Sequence, residues 1–292
     1  NNIIMYFTNQ INNKKIEKIN PGLYVVSTPI GNLEDITLRA IKVLKNSDYI
    51  LCEDTRRSTK LLSHYQIQSK LIPYHKFNEK KATNKVISLI KKKFIVSLIS
   101  DAGTPTISDP GLLLVSDCIK EKINIYPIPG ASAVTSAVSI SGFEDKYFFY
   151  GFLPKNDGDI NKILKILRNL EYSIVFFVSA KKINYILNKF REYFFGRKIF
   201  IAREMTKIYE SSIRDKVESI KNFPKSLKGE LTVILSKKNK IQNLEQEISD
   251  IVKFEIKKML KKYTHKDVVE FISKKENLQK KMVYHFCLKL KK

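Results

Sequence analysis

Four short segments of this chain carry residues whose types and spacing suit chemistry, and each follows an apolar run. The first is Thr28-Pro-Ile-Gly-Asn32. The second, Glu53-Asp-Thr-Arg-Arg57, sets two acids against two arginines. The third is Ser100-Asp-Ala-Gly-Thr-Pro105, continuing to Ser108-Asp-Pro-Gly111, and the fourth is Pro127-Ile-Pro-Gly-Ala-Ser132. Gly31, Gly103 and Gly130 suit a backbone that approaches a ligand closely or takes a positive φ; the plainer role for each is a tight turn. Asp101 stands just past an apolar run, where a carboxylate has no evident capping role, and suits holding a hydroxyl or a positive group. Asp109-Pro110-Gly111 reads differently, as a helix N-cap with proline at the first helical position. At the second segment, Arg56 suits orienting an anionic substrate while Glu53 or Asp54 orders a loop or accepts a proton. The alternative there is a solvated turn with a local ion pair. His75, with Asn78-Glu79, is a candidate RNA contact or a structural histidine.

Other chemistries find no support. Neither G-x-x-x-x-G-K nor G-x-G-x-x-G occurs, so nucleoside triphosphates and nicotinamide dinucleotides are poor candidates. Cys52, Cys118 and Cys287 are far apart and lack metal-ligand spacing, so no metal site is expected and a reducing cytoplasm fits. The longest apolar runs fall far short of the roughly 20 residues that span a bilayer.

The elements that must position these segments alternate in type. Leu23–Ser27, Tyr49–Cys52, Phe94–Ser100 and Asn124–Ile128 read as strands, and Leu38–Lys45, Thr59–Tyr65, Val86–Lys92, Leu112–Glu121 and Ala131–Ile140 as helices. Such alternation predicts a mostly parallel sheet covered on both faces. Ligands bind beyond the carboxyl ends of strands in open sheets of this kind, so the four segments are expected to share one rim. Ser141–Lys146 breaks the pattern. A second alternation follows, with helices over Ile160–Leu170, Lys181–Phe190 and Ile213–Ile220 and strands over Ser173–Val178, Lys198–Ala202 and Glu230–Leu235. The expected organisation is a loose extension over 1–20, an α/β domain over 21–143, a second over 144–236, and a basic helical tail over 237–292.

The formal charge is +24, from 45 Lys and 8 Arg against 29 acids. A polyanionic partner gains from such a field. A general lysine bias accounts for it too, so the few arginines are the better guide to specific contacts. The tail holds 16 basic and 7 acidic residues, and Thr264-His-Lys-Asp267 looks like a capped helix start.

Taken together, Thr28–Leu33, Glu53–Arg56, His75 with Asn78-Glu79, Ser100–Pro105, Asp109–Gly111, Pro129-Gly130 and Gly151–Pro154 resemble, in order and spacing, the ribosomal RNA small subunit methyltransferase I group of the tetrapyrrole methylases. The resemblance runs from about Gly22 to Leu235. It implies an enzyme of two α/β domains of the tetrapyrrole methylase type, with an inter-domain cleft holding S-adenosylmethionine and a small helical C-terminal tail. It implies methylation of the ribose 2′-oxygen of a cytidine in the decoding region of small-subunit ribosomal RNA, by a cytoplasmic homodimer. By motif position, cofactor contacts fall on Pro29, on Asp101, Ala102, Gly103 and Thr104, on Ile107, and on Ser132 and Ala133, with Gly31 beside them. The second domain would contribute near Val178 and Glu204. The pattern departs at Phe176–Lys182, where Val178 replaces an acid and Lys181-Lys182 replace His-Arg.

Methyl transfer from a sulfonium to a ribose hydroxyl needs alignment and loss of the hydroxyl proton. Candidate bases are Glu53, Asp54, Asp101 and Glu204. Arg56, Arg57, Lys60, Arg203 and Lys207 are candidates for phosphate contacts, and Phe77, Tyr150 and Phe152 for stacking, although aromatic residues equally build cores. The alternatives are a superfamily relative acting on a small molecule or a protein residue, and a non-catalytic RNA-binding assembly factor.

Overall fold

Five short strands of the amino-terminal half pair side by side, all parallel, in the order β3-β2-β4-β1-β5. They are β1 (Gly22–Val26), β2 (Tyr49–Cys52), β3 (Lys70–Pro73), β4 (Ile95–Leu98) and β5 (Ile125–Ile128). The helices between them are α1 (Leu38–Lys45), α2 (Thr55–His64), α3 (Glu79–Lys91) and α4 (Leu112–Lys120), and α5 (Ala133–Ser141) follows β5. The structure, a computed structural model, describes residues 19–224, 227–238, 248–276, 278 and 280–290. Most of the expected amino-terminal extension, residues 1–18, lies outside the described residues.

Period-2 alternation along each strand sorts side chains to two faces. Tyr24, Val26, Ile50 and Cys52 pack with Ala40, Val43 and Leu44 of α1 and Leu62 of α2. Leu23, Leu51, Val96 and Leu98 face the other way, onto Val86, Ile87 and Ile90 of α3 and Leu114 and Cys118 of α4. Burial on both faces is what a parallel sheet requires. Because all five strands run parallel, their carboxyl ends lie at the same edge.

The chain divides into two compact units. The first comprises the residues up to Ile140 with Arg203–Ser211, and the second Ser141–Ala202 with Ser212–Lys292. The second unit is built on a mixed sheet in the order β6-β7-β10-β8-β9. Its strands are β6 (Tyr147–Phe152), β7 (Ser173–Ser179), β8 (Lys198–Arg203), β9 (Ser211–Lys216) and β10 (Glu230–Leu235). β6 and β7 run parallel, and β7 and β10 antiparallel. Helices α6 (Asp157–Leu167) and α7 (Ile183–Tyr193) cover one face through Leu164, Leu187 and Phe190, against Phe176, Ile201 and Val233. The tail forms α8 (Asp250–Met259), α9 (His265–Lys275) and α10 (Lys280–Lys289) around a small core that includes Ile256, Ile272 and Val283. Thr264 caps α9 by accepting from the Asp267 amide, as its sequence predicts.

Two sequence expectations are overturned. Residues 213–220 do not form a helix: Ser211–Lys216 is β9, an edge strand. Ile213, Val217 and Ile220 are spaced like a helical face, but only Val217 and Ile220 are buried, in the turn that follows the strand. Pairing along the sheet overrides the local period. Asp109 does not cap α4 either. The helix begins after Gly111, which takes the N-cap position at φ 126°. A Cβ there would lie 2.6 Å from Leu98 Cδ2, so core contact as well as backbone angle demands glycine.

Candidate active site at the strand ends of the first unit

The loops leaving β1, β2, β4 and β5 meet at one edge of the parallel sheet. β1 lies between β4 and β5, so its loop joins both neighbours. Thr28 and Gly103 exchange two backbone hydrogen bonds, Thr28 N–H to Gly103 O at 2.9 Å and Gly103 N–H to Thr28 O at 3.0 Å. Thr28 Oγ1 donates to the Ser100 carbonyl at 3.3 Å. Ser27 and Thr104 share a hydroxyl–hydroxyl bond of 2.9 Å, and Thr104 Oγ1 donates to the Ala131 carbonyl at 3.3 Å. Thr104 therefore ties the third and fourth segments to the first. Ser132 and Ala133 follow directly, at the start of α5.

The β2 loop joins through Asp101. Its carboxylate accepts from the Asp54 amide at 3.2 Å and pairs with Arg57 Nη1 at 3.2 Å. The carboxylate that looked unpartnered in the sequence thus anchors the amino-terminal turn of α2, where the helix dipole also favours negative charge. Asp54 caps the same helix by accepting from the Arg56 amide at 2.9 Å, and it pairs with the Arg56 guanidinium at 3.1 Å.

These contacts separate the candidate bases. The Arg56 guanidinium and amide bonds hold the Asp54 carboxyl below the ordinary carboxylate range. Glu204 is half-buried and ion-paired to Lys207 at 3.0 Å. Glu53 moves the other way: burial pushes its carboxyl up, and Asp101 adds to the rise, while His75 and Arg57 offset part of it. A carboxylate raised toward neutrality is the better proton acceptor.

The segment 204–207 packs on the β1 loop. Thr206 Oγ1 accepts from the Asn32 amide at 3.0 Å. A Cβ on Gly31 would lie 2.4 Å from Lys207 Cγ and 2.7 Å from Thr206 Oγ1, so this glycine admits another stretch of the chain. On Gly130 a Cβ would lie 2.9 Å from the Ser27 Cβ, again a chain-on-chain approach. Gly103 is different. Its Cβ would meet nothing closer than Ile30 Cγ2 at 3.4 Å, and its φ of 79° is what calls for glycine. Positive φ recurs around the rim at Thr106 (71°), Ser108 (68°), Glu204 (50°) and Thr206 (65°). For a β-branched residue such as Thr106 this is strained backbone, which clusters at functional sites.

The remaining expected residues fall as follows. Pro29 follows the Thr28–Gly103 bridge, Ala102 precedes Gly103, and Ile107 is exposed beyond it. Arg56 projects into solvent with its side chain 88% exposed, and Arg57 and Lys60 are also exposed. Lys207 is held by Glu204. Phe77 is 96% exposed, whereas Tyr150 packs on the core of the second unit. Phe152 is exposed against Phe177. Val178 is buried in the second sheet, and Lys181 and Lys182 form an exposed turn before α7. His75 Nδ1 is buried and has no hydrogen-bond partner among the described residues, while the His75 backbone amide donates to the Asn78 side chain at 2.9 Å. No cluster of metal-ligating side chains occurs among the described residues. Sequence reasoning missed Ser27 and Thr206 as rim-builders; the available signal was a hydroxyl at the end of an apolar strand in one case and in a tightly turning segment in the other.

A parallel sheet with loops gathered over its carboxyl edge, followed by a mixed sheet, defines a two-unit α/β protein with a ligand rim on the first unit. Residues 22–221 match the Tetrapyrrole (Corrin/Porphyrin) Methylases. A ribosomal RNA small subunit methyltransferase I of Rickettsia prowazekii is 42% identical over 275 residues, covering 92% of this chain and 97% of that one. The protein of that name from Thermotoga maritima is 46% identical over 219 residues, covering 74% of this chain and 98% of its own. Among solved structures, uroporphyrin-III C-methyltransferase from Thermus thermophilus complexed with S-adenosyl homocysteine shares the fold, with a TM-score of 0.52 at 14% identity over 74% of this chain and 97% of that one. The chain belongs to the tetrapyrrole methylase family, within its ribosomal RNA small subunit methyltransferase I group.

Proposed function

We propose that this protein transfers a methyl group from S-adenosylmethionine to the ribose 2′-oxygen of a cytidine in the decoding region of small-subunit ribosomal RNA, acting as a homodimer. The observation that carries the reading is the convergence of the β1, β2, β4 and β5 loops on one rim through Thr28–Gly103, Thr104–Ala131 and Asp101–Arg57. The names of the relatives support ribosomal RNA as the substrate.

The residues of the rim fit the donor. Asp101 offers a carboxylate for hydroxyl or ammonium groups, Ile107 an exposed apolar side chain for a nucleobase, and the Gly103 backbone a surface without a Cβ. When bound, S-adenosylmethionine supplies an electrophilic methyl group on a positively charged sulfur. Glu53 and Asp101 place negative charge at the same rim, which favours a cation in a partly desolvated site. Asp101, fixed by Arg57 and the Asp54 amide, orients what it holds. Glu53 would take the hydroxyl proton as the oxygen bonds to the methyl carbon, the carbon–sulfur bond breaking with its electron pair left on the departing thioether sulfur. Arg56 and Lys60 steer phosphates of the RNA as exposed charges.

The test is in-vitro transfer from radiolabelled S-adenosylmethionine to purified small ribosomal subunits, with the product mapped by mass spectrometry. One added methyl on a cytidine ribose is expected. Label on a base, or none on RNA, overturns the reading.

A further inference from the structure

The second unit carries an open trough of about 1010 Å³ at the edge where β6, β7 and β8 begin and β9 and β10 end. Five lysines line it, each set by a strand end: Lys146 precedes β6, Lys198 opens β8, Lys216 closes β9, and Lys237 and Lys238 follow β10. Lys146, Lys198 and Lys216 are exposed and make no ion pair among the described residues. Glu144, Asp145 and Glu171 share the lining. Glu144 is already engaged, pairing with Lys237 at 3.1 Å and accepting from the Ser173 hydroxyl at 3.2 Å. Tyr172, 52% exposed, lies on the wall.

Beneath the trough sits Arg197, only 3% exposed. Its guanidinium donates to the carbonyls of Tyr172, Ser236, Arg168 and Leu170 at 3.3, 3.0, 3.0 and 2.6 Å. These carbonyls satisfy its hydrogen bonds without cancelling its charge. Burial lowers its pKa to about 10, so it stays cationic at neutral pH. A fixed positive charge thus lies under a surface that carries five lysines against three acids, one of which, Glu144, is already paired.

We propose that this trough grips the phosphodiester backbone of a single-stranded or looped RNA segment, with the Tyr172 ring stacking on a base. The proposal rests on RNA being the substrate. Lysines on separate strand ends around a wide trough suit successive phosphates of one strand better than one small anion, whose oxygens need convergent donors. A basic groove with an exposed aromatic ring is also the chemistry by which single strands are held without sequence readout.

Fluorescence anisotropy with labelled oligouridylate tests the proposal on the full chain. Replacing three phosphate contacts at about 0.7 each should lower the slope of log K against log salt by about 2 in the variant Lys146→Ala/Lys198→Ala/Lys216→Ala. Lys198→Ala alone should lower it by about 0.7, a readout that survives if the triple variant folds poorly. Lys91→Ala/Lys120→Ala, which removes two lysines paired to Glu121 and Asp117, should leave the slope unchanged. Tyr172→Ala should weaken binding where Tyr172→Phe retains it. An unchanged slope in both trough variants overturns the proposal. So does displacement of the RNA by inorganic triphosphate as effective as by unlabelled oligomer, which would make the trough a small-anion site. Calorimetry with S-adenosyl homocysteine on the same preparations reports the first unit separately, so a failure of the donor reading does not pass for a failure of the trough.

Discussion

Thr28 and Gly103, far apart in sequence, hold each other by two backbone hydrogen bonds, N–H to O in both directions. This bridge lies past the ends of β1 and β4 and stitches their loops into one rim. It works only because Gly103 takes a φ of 79°. Gly103→Ala places a Cβ in the left-handed region, at a cost of about 1–2 kcal/mol. Donor affinity should fall about tenfold or more as the loop shifts (1.4 kcal/mol is tenfold), with global stability reduced by no more than that strain. Titration calorimetry and urea unfolding check the two parts.

Glu53→Gln separates the base from the scaffold. Removal of a positioned base should lower kcat by about 10²–10⁴-fold while donor binding persists. The wild-type rate should fall on the acid side with a midpoint above the ordinary carboxylate value, because burial and Asp101 raise the Glu53 pKa. Stability responds with the opposite sign to the usual acid. A folded pKa above the unfolded one means the native state binds more protons, so the charged side chain lowers stability as pH rises through that window. Glu53→Gln should therefore be at least as stable as wild type at neutral pH, and the difference should vanish at pH values below the unfolded carboxylate pKa. A pH series of unfolding curves measures it.

Arg56 is exposed, and its guanidinium and amide both engage Asp54. Arg56→Ala should weaken RNA binding several-fold, reduce its salt dependence, and leave donor affinity nearly unchanged. Equal losses of RNA and donor binding would mean that Arg56 serves the loop rather than the RNA. Anisotropy and calorimetry on the same variant decide.

Arg197→Met leaves four backbone carbonyls of the second unit without their donor. Each unsatisfied buried acceptor costs about 1–3 kcal/mol, so a loss of at least about 3 kcal/mol is expected by urea unfolding. Arg197→Lys, with fewer donors and no planar fork, should recover only part of it.

Much of the rim is legible in the amino-acid sequence. The strand–helix alternation put Thr28, Glu53, Asp101 and Ser132 past the ends of parallel strands, and such strands share one edge. Leu38–Lys45, Tyr49–Cys52 and Glu230–Leu235 were also legible, because each is a run with a clean period. β3 and β9 were not: both are edge strands with little burial, whose pairing partners lie elsewhere in the sequence. The partner of Asp101 was equally hidden. Arg57 looks like a surface charge until β2 and β4 pair and bring the two residues within 3.2 Å. Gly31 likewise suggested a ligand, whereas the segment around Lys207 occupies the space beside it. Both are long-range contacts, and local spacing carries no trace of them.

Donor binding at this rim is tested most directly by calorimetric titration of S-adenosyl homocysteine into wild type and Asp101→Ala. Saturable binding by wild type and a drop of at least about tenfold in Asp101→Ala, with Asp101→Asn between them, is the predicted result (a lost hydrogen bond to a charged group is worth about 1.5–3 kcal/mol). No binding by wild type, or equal affinity in all three, would contradict it.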